Sequence, residues 1–524
     1  MKNLICILLL SIAVALAGCT DLADVDEDGI AREEVEGGGS GITDPAAALR
    51  GVYTQLNTLR GAGGTFALME HPSDELIGPT RGTDWSDFGV WRQLHLHTWD
   101  PSHAEILNAW NQLNSGVFRA TQVIDAGSSS AQQVAEARFL RAFFMFYVMD
   151  FFGQVPFRPS NAEPNDIPEV YNRTEAFDFI VADLDSARND LPPLTSASDA
   201  ATATREAADF LLAKLHLNRA VYTSSTSDSP SAGPYTFENA DMDEVITRVQ
   251  NMEGNSYLAL TNYFDNFHWN NTALSNEFIF VINEEDGGAT TFNHFYMTLH
   301  YNNSPSGCCN GFTTTSDFYN RFPENTNDVR KSQYIPEMSA ETGILAGFLE
   351  GQQYGAFDGP GDPVEGSALT DRGGNPLIFT PEVDLFYANE RMGIRVIKYL
   401  VNPDAPEESG TDFVFFRYAD ALLMKAEAHF RKGESAQALD IINRIRDQRN
   451  ASPLSSLDEQ AILNERGFEL YWEGHRRTDQ VRFGTFTEAW SEKEASEDYR
   501  VLFPIPQRAL DTNPNLVQNS GYAE

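Results

Sequence analysis

"ADFLLAKLHL" at 208–217 and "ADALLMKAEA" at 419–428 share the pattern Ala-Asp-x-Leu-Leu-x-Lys, far apart in one chain. In both copies small alanines alternate with large apolar residues at helical spacing, which lets two helices approach closely. The second copy runs through Gly433 into "SAQALDIINRIRDQRN" (435–450), where Ala438, Ile441, Ile442 and Ile445 form the next apolar stripe. A helix, a glycine break and a second striped helix predict an α-hairpin, the unit of tetratricopeptide-like scaffolds.

Other segments agree with that unit. In "EILNAWNQLNSGVFRATQVID" (105–125), Ile106, Trp110, Leu113, Val117 and Ile124 lie near one helical face. "AEARFLRAFFMFYVMDFFGQVPF" (135–157) is apolar almost all round and stops at Gly153 and Pro156, so it reads as a buried helix. The stretch from about 225 to 410 differs. It is rich in Gly, Pro, Asn, Ser, Thr and aromatics, with short β-like runs such as "EFIFVI" (277–282) and "MGIRVIKYL" (392–400). It reads as a long, loop-rich excursion from a helical body, and its aromatic content argues that the loops are ordered.

Bulk composition limits the partners. The 524 residues are 42% apolar and 11% aromatic, as in a globular protein, and carry 37 basic against 76 acidic side chains, a net charge of -39. That charge repels phosphate backbones and anionic headgroups, which argues against nucleic acid and against electrostatic membrane attachment. The basic residues are mostly arginine, a balance that suits folding in salty water, where self-repulsion is screened.

The amino terminus points to a different attachment. Lys2, an apolar run from Leu4 to Leu16 and the closing "LAGC" (16–19) match a lipoprotein signal peptide over residues 1–18, with Cys19 as the lipidated first residue. Several acyl chains on one residue hold a protein stably on a bilayer. Behind Cys19, "TDLADVDEDGIAREEVEGGGSG" (20–41) is acidic and then glycine-rich, so 19–44 reads as a flexible tether. One domain follows over 45–524, divided into a helical part (45–225), the excursion (226–410) and carboxy-terminal hairpins (411–524).

Five ordered segments resemble one family, the SusD/RagB nutrient-binding lipoproteins of the outer membrane. They are "ARFLRAFFMFYVMDFFGQVPF" (137–157), "FFRYADALLMKAEAHFRKG" (415–433), "INRIRDQRN" (442–450), "NERGFELYWEGHRRTDQVRFG" (464–484) and "LFPIPQRALDTNPNLVQNSGY" (502–522), joined by "GFTTTSDFYNRF" (311–322). The resemblance implies a mainly α fold of tetratricopeptide-like hairpins with long insertions and a few short strands. It also implies a lipid-anchored, surface-exposed position on the outer membrane and a SusC-like TonB-dependent transporter as partner. It further implies binding of oligosaccharide without covalent chemistry and without a cofactor. A peptide-binding member of the same architecture, or a helical-repeat interaction scaffold, is the alternative. The chain departs from the family at Gly467, where an arginine is common, and at Arg477, Thr478 and Gln480, where apolar residues are usual.

The residues bear on the site in several ways. A sugar presents hydroxyls and apolar C–H faces, so its site needs an aromatic plate beside carboxylates, amides or an arginine fork. "PTRGTDWSDFGVW" (79–91) offers Trp85 and Trp91 as plates and Arg81, Asp84 and Asp87 as polar partners. In the resembling family this early loop and loops of the central excursion form the ligand face. Here the latter is "TFNHFYMTLHYNNSPSGCCNGF" (291–312), with His294, Tyr296, Tyr301, Asn302 and Asn303 as candidates. The adjacent Cys308 and Cys309 either close into an eight-membered disulfide ring or remain as two buried thiols.

Catalytic and metal readings are weaker. Glu465, Arg466, Glu469, Glu473, Arg476, Asp479 and Arg482 recur at helical spacing, and interleaved arginines hold carboxylates ionised, which predicts an ion-pair network rather than an acid/base pair. His95, His97 and His103 have no carboxylate or cysteine following at ligand spacing, so no metal site is expected. No nucleophile elbow or phosphate loop occurs.

Overall fold

The computed structural model describes residues 42–522 apart from 163–165, 284–296, 304–308, 324–325, 357–366 and 406–409. The signal segment, most of the tether with Cys19, and the candidates His294, Tyr296 and Cys308 lie outside the described residues.

The helical body starts at Asp44, whose side chain accepts from Ala47 N ahead of helix α1 (Pro45–Gln55), with proline at its first position. Two short helices follow, α2 (Gly64–Glu70) and α3 (Val90–His95), and then two long ones, α4 (Ala104–Asp125) and α5 (Ala131–Phe152). The amphipathic stripe of α4 buries Ile106, Trp110, Leu113 and Val117 against α5. Gly116 sits at the crossing, where a Cβ would stand 2.5 Å from the Phe144 ring, so its missing side chain sets how close the helices come. Helix α5 opens with a capping box: Ser130 Oγ accepts from Gln133 N at 3.2 Å and Gln133 Oε1 accepts from Ser130 N at 2.8 Å. It is buried on every side from Phe139 to Phe152 and ends at Gly153 in the left-handed conformation. Phe143 meets Phe280, Phe415 and Phe416, which makes α5 the axis of the core.

Beyond α5, a two-stranded ribbon (β1 Gln154–Phe157, β2 Glu169–Asn172) leads into α6 (Arg173–Arg188), α7 (Arg205–Ser224) and α8 (Asn239–Glu253), each packed on the one before. Helix α8 falls inside the stretch read from sequence as loop-rich. Met242, Val245, Ile246, Val249 and Met252 form a helical stripe there that the neighbouring Ser, Gly and Pro residues conceal.

The chain leaves the body after α8. It forms β3 (Phe278–Ile282), the antiparallel sheet β4 (Ser332–Gln333), β5 (Ala346–Leu349) and β6 (Arg395–Ile397), and returns along β7 (Phe413–Arg417), which pairs with β3 in antiparallel register, Ile282 opposite Phe413. Helix α9 (Tyr418–Arg431) then packs directly on α8, so the stack resumes as if uninterrupted and continues into α10 (Ser435–Gln448). The two echoing segments meet: Lys214 of α7 lies 3.7 Å from Asp420 of α9. Helices α11 (Glu459–Leu470) and α12 (Arg476–Arg482) follow.

Buried ion pairs hold the excursion onto this stack. Glu469 of α11 receives Arg417 at 2.7 Å, Arg449 at 2.8 Å and Arg330 at 3.0 Å. Glu473 pairs with Arg417 and Lys398, and Glu277 with Arg417 and Arg449. Arg330 and Lys398 belong to the excursion and glutamates 465, 469 and 473 to the carboxy-terminal part, so the network the sequence predicts also ties the excursion to the terminal hairpins. Gly467 leaves room for Arg476, whose Nη1 would lie 2.9 Å from a Cβ there, and Arg477 is buried against Asp150 at 2.7 Å. Both departures from the family pattern thus serve charge pairing in the interior.

Candidate functional site

The segment 79–91 is a succession of left-handed turns. Arg81 and Asp84 exchange backbone hydrogen bonds at 3.0 Å around Gly82, and Trp85, Asp87, Phe88 and Gly89 have φ of 61°, 35°, 53° and 87°. Non-glycine residues pay for such conformations, so the neighbouring structure must hold them. Trp85 supplies much of that hold. Its Nε1 donates to Cys309 O at 2.7 Å, its ring meets Phe312 at 5.0 Å, and Gly311 has no Cβ where one would stand 2.4 Å from the indole. Trp91 stacks on buried His71 at 4.8 Å, and its Nε1 donates to Asp87 at 2.7 Å. Both indoles are half-buried. The glycine-rich loop therefore carries tryptophans that bind it to the 309–312 segment, while Phe88 is fully exposed at its tip.

A third segment completes the site. Residues 371–391 run beside the first loop, with Thr80 N donating to Leu385 O and Ala388 N to Thr80 O, both at 3.0 Å. Asp384 Oδ1 accepts from the backbone N–H groups of Phe386 and Tyr387 at 2.8 Å each, an Asx turn that displays both rings. They are 47% and 84% exposed, and Arg92 lies over the Phe386 ring at 5.5 Å. Between the segments opens a cleft of about 830 Å³ lined by Arg81, Arg92, Arg372, Tyr387 and Glu390 among others. Its size and its few convergent polar groups suit a small-molecule ligand.

The polar wall is a connected set. Tyr301 Oη donates to Asp84 at 2.9 Å, Arg372 covers the Tyr301 ring at 4.0 Å, and Arg372 Nε donates to Glu390 at 2.5 Å. His300 Nε2 lies 2.9 Å from Glu390, and Asn302 donates to Thr370 O at 2.6 Å. Burial would raise the Glu390 carboxyl, but the backbone N–H of Arg372, His300 and the Arg372 guanidinium overcome it and hold it below the usual range. Burial lowers His300, against the opposing pull of Glu390. Arg81 lies beneath this wall, buried, donating to Gly311 O and Asn389 O.

Of the residues singled out from the sequence, Arg81 lines the cleft, Asp84 and Tyr301 contact its lining residue Arg372, Trp85 ties the loop to the 309–312 segment, Asn302 donates to Thr370 O, and Trp91 lies behind the loop against His71. Arg81, Trp85, Trp91, Tyr301 and Asn302 all donate to protein acceptors. Cys309 is disulfide-bonded, and Cys308 lies outside the described residues. His95, His97 and His103 have ring nitrogens on Ser491 O, on Ser496 Oγ and Pro72 O, and on Val90 O, respectively. No cluster of metal-ligating side chains occurs among the described residues. Sequence reasoning missed the 371–391 segment. Its one signal was "DLFYAN" (384–389), two adjacent aromatics without helical or strand periodicity, flanked by Asp and Asn.

A helical-hairpin body thus carries an open, ring-edged cleft on its loop excursion. The SusD family profile matches residues 386–499, from the exposed Phe386 through α12. The starch-binding protein SusD of Bacteroides thetaiotaomicron is 28% identical over 509 residues, covering 87% of this chain and 85% of that one. Among solved structures, a SusD-like protein of Bacteroides fragilis has a TM-score of 0.68 at 19% identity, with 92% of this chain and 98% of that chain covered. A laminarin-binding SusD-like protein gives 0.64 at 21%, with 92% and 99% covered. The chain is thus similar to SusD-family proteins over most of its length, with the family model matched in its carboxy-terminal part, and the relatives named here are named as binding proteins.

Proposed function

We propose that this protein captures oligosaccharide at the cell surface, anchored through lipidated Cys19, and delivers it to a SusC-like TonB-dependent transporter in the outer membrane. The observation that carries the reading is the pair Phe386 and Tyr387, held in solvent by Asp384 at the mouth of a cleft whose other wall is the Asp84–Tyr301–Arg372–Glu390 set. Rings stack on the apolar faces of pyranoses while the polar wall takes the hydroxyls. The names of relatives that bind starch and laminarin support a carbohydrate ligand. Among the described residues no helix is long and apolar enough to cross a membrane, which fits attachment through the amino-terminal residue.

Affinity electrophoresis through a panel of polysaccharides tests the capture step. Retardation by at least one glycan, reduced about tenfold or more in a Phe386→Ala/Tyr387→Ala variant of unchanged melting temperature, is expected, since losing stacking rings costs about 1–3 kcal/mol. Retardation that survives the double substitution would place the ligand elsewhere. Co-purification of a TonB-dependent transporter from detergent-extracted membranes tests delivery. Loss of membrane association in Cys19→Ser tests the anchor.

A further inference from the structure

The charge balance of the cleft inverts that of the molecule. The chain holds 76 acidic and 37 basic residues, yet among the residues lining the cleft four are arginines (Arg81, Arg92, Arg372 and Arg391) and two are acids (Asp371 and Glu390). Arg372 pairs with Glu390 and, at 3.6 Å, with Asp84, and Arg391 lies 3.5 Å from Asp371, which leaves Arg92 and Arg81 of the lining without a direct carboxylate partner among the described residues.

Arg81 and Arg395 are buried without a direct ion pair among the described residues, although the Glu390 carboxylate acts on Arg81 from beyond contact distance. Arg81 donates to the carbonyls of Gly311 and Asn389, and Arg395 to Asn310 Oδ1 and the carbonyls of Met392, Gly393 and Glu390. Among the described residues neither reaches a carboxylate within ion-pair distance; Arg417, Arg449, Arg476 and Arg482 each hold one, while Arg173 of the helical body is likewise buried on carbonyls alone. Burial lowers both Arg81, to about 9, and Arg395, and Arg81 further lowers Arg395, so the two cations feel each other through the protein interior. Carbonyl oxygens satisfy their hydrogen bonds but cancel no net charge, and an uncompensated buried charge is costly to a folded chain. At the rim, Arg92 donates to Thr80 Oγ1 and faces the Phe386 ring, again with no carboxylate partner among the described residues. Low-dielectric walls focus the field of such charges into the cleft between them.

We infer that the cleft binds an anionic oligosaccharide bearing carboxylate or sulfate groups, with Arg92 and Arg372 as its contacts. The inference rests on the proposed carbohydrate capture and narrows its ligand class. Guanidinium forks match carboxylates and sulfates in two-point geometry, and the exposed rings beside them take the sugar faces. Arg372 is 54% exposed, so a ligand anion can compete with Glu390 for it.

The test runs the full-length mature protein against a neutral β-glucan, a polyuronate and a sulfated galactan in affinity electrophoresis, with calorimetry on oligomers of each. Binding to the polyuronate or the sulfated galactan is expected, and which one is bound separates carboxylate from sulfate. That binding should weaken at least about tenfold in Arg92→Gln and in Arg372→Gln, and fall as salt rises from about 0.05 to 0.5 M. Arg508→Gln, on an exposed helix remote from the cleft in sequence, should leave it unchanged. Binding to the neutral glucan alone, with the arginine variants unaffected, overturns the anionic assignment and leaves carbohydrate capture intact. Retention by no glycan overturns both.

Discussion

Glu70 and Glu75 show how much a single buried proton can matter in this fold. Both are fully buried, Glu70 receives Gly474 N at 2.6 Å, Glu75 receives Trp472 N at 2.9 Å, and one oxygen of each has no other donor. Burial raises both carboxyls, Glu70 to about 7, and the mutual repulsion of the pair raises Glu75 further. A carboxyl raised in the folded state stabilises fully below its unfolded value and loses that contribution as pH climbs through the folded one. Between about pH 4.5 and 7 this pair should therefore cost stability on the order of 1–3 kcal/mol. Glu70→Gln keeps the acceptor for Gly474 and removes the titration, so its melting temperature should exceed wild type at pH 8 and match it at pH 4. Equal differences at both pH values would dismiss the account. Trp85 is a second residue-scale case. Trp85→Ala removes the donor to Cys309 O and a half-buried ring, and it should cost about 2–4 kcal/mol and weaken ligand binding as the loop loosens. The sequence marks Trp85 as important. That its N–H is turned inward, while Phe88, Phe386 and Tyr387 face solvent, depends on left-handed turns and an Asx turn that no periodicity announces.

At the scale of elements, the close contact of α4 and α5 rests on Gly116. Gly116→Ala drives a methyl into the Phe144 ring and should destabilise by about 1–3 kcal/mol, read as a lower denaturation midpoint with unchanged helix content by circular dichroism. Ser130→Ala, at the capping box of α5, should cost about 1 kcal/mol in the same assay. The long helices were legible because their stripes are unbroken: α4, α5, α7, α9 and α10 fall where alternating small and large residues put them. Helix α8 escaped notice because its stripe lies between Ser/Gly/Pro-rich text and the residues preceding β3. Its packing on α9 is a contact between segments separated by the whole excursion, which no local pattern records.

At the scale of the molecule, Glu469 is the point through which body and excursion are tied. Burial would raise its carboxyl, but Arg449, Arg417 and Arg330 overcome it and hold it well below the usual range. A depressed carboxyl stabilises above its unfolded pKa and loses that contribution as pH falls. Acid below about pH 4.5 should thus unfold the excursion as the network protonates. Glu469→Gln leaves three buried guanidinium groups short of charge and should cost about 3–5 kcal/mol at neutral pH, with a marked drop in melting temperature and loss of glycan retardation. A variant that melts as wild type but has lost binding would instead assign Glu469 to the site itself.

Local chemistry written along the chain was enough to specify the hairpin body, the pairing of its terminal charges and the aromatic loop at 79–91, because helix stripes, caps and i, i+4 charges are short-range patterns. Which side chains face the ligand was decided only in three dimensions. The cleft arises where 79–91 and 371–391 meet, beside 300–303 and 309–312, and burial there turns two tryptophans and Arg81 inward while backbone turns push three other rings out. Exposure and uncompensated charge are properties of that assembly, since each depends on neighbours distant in the sequence.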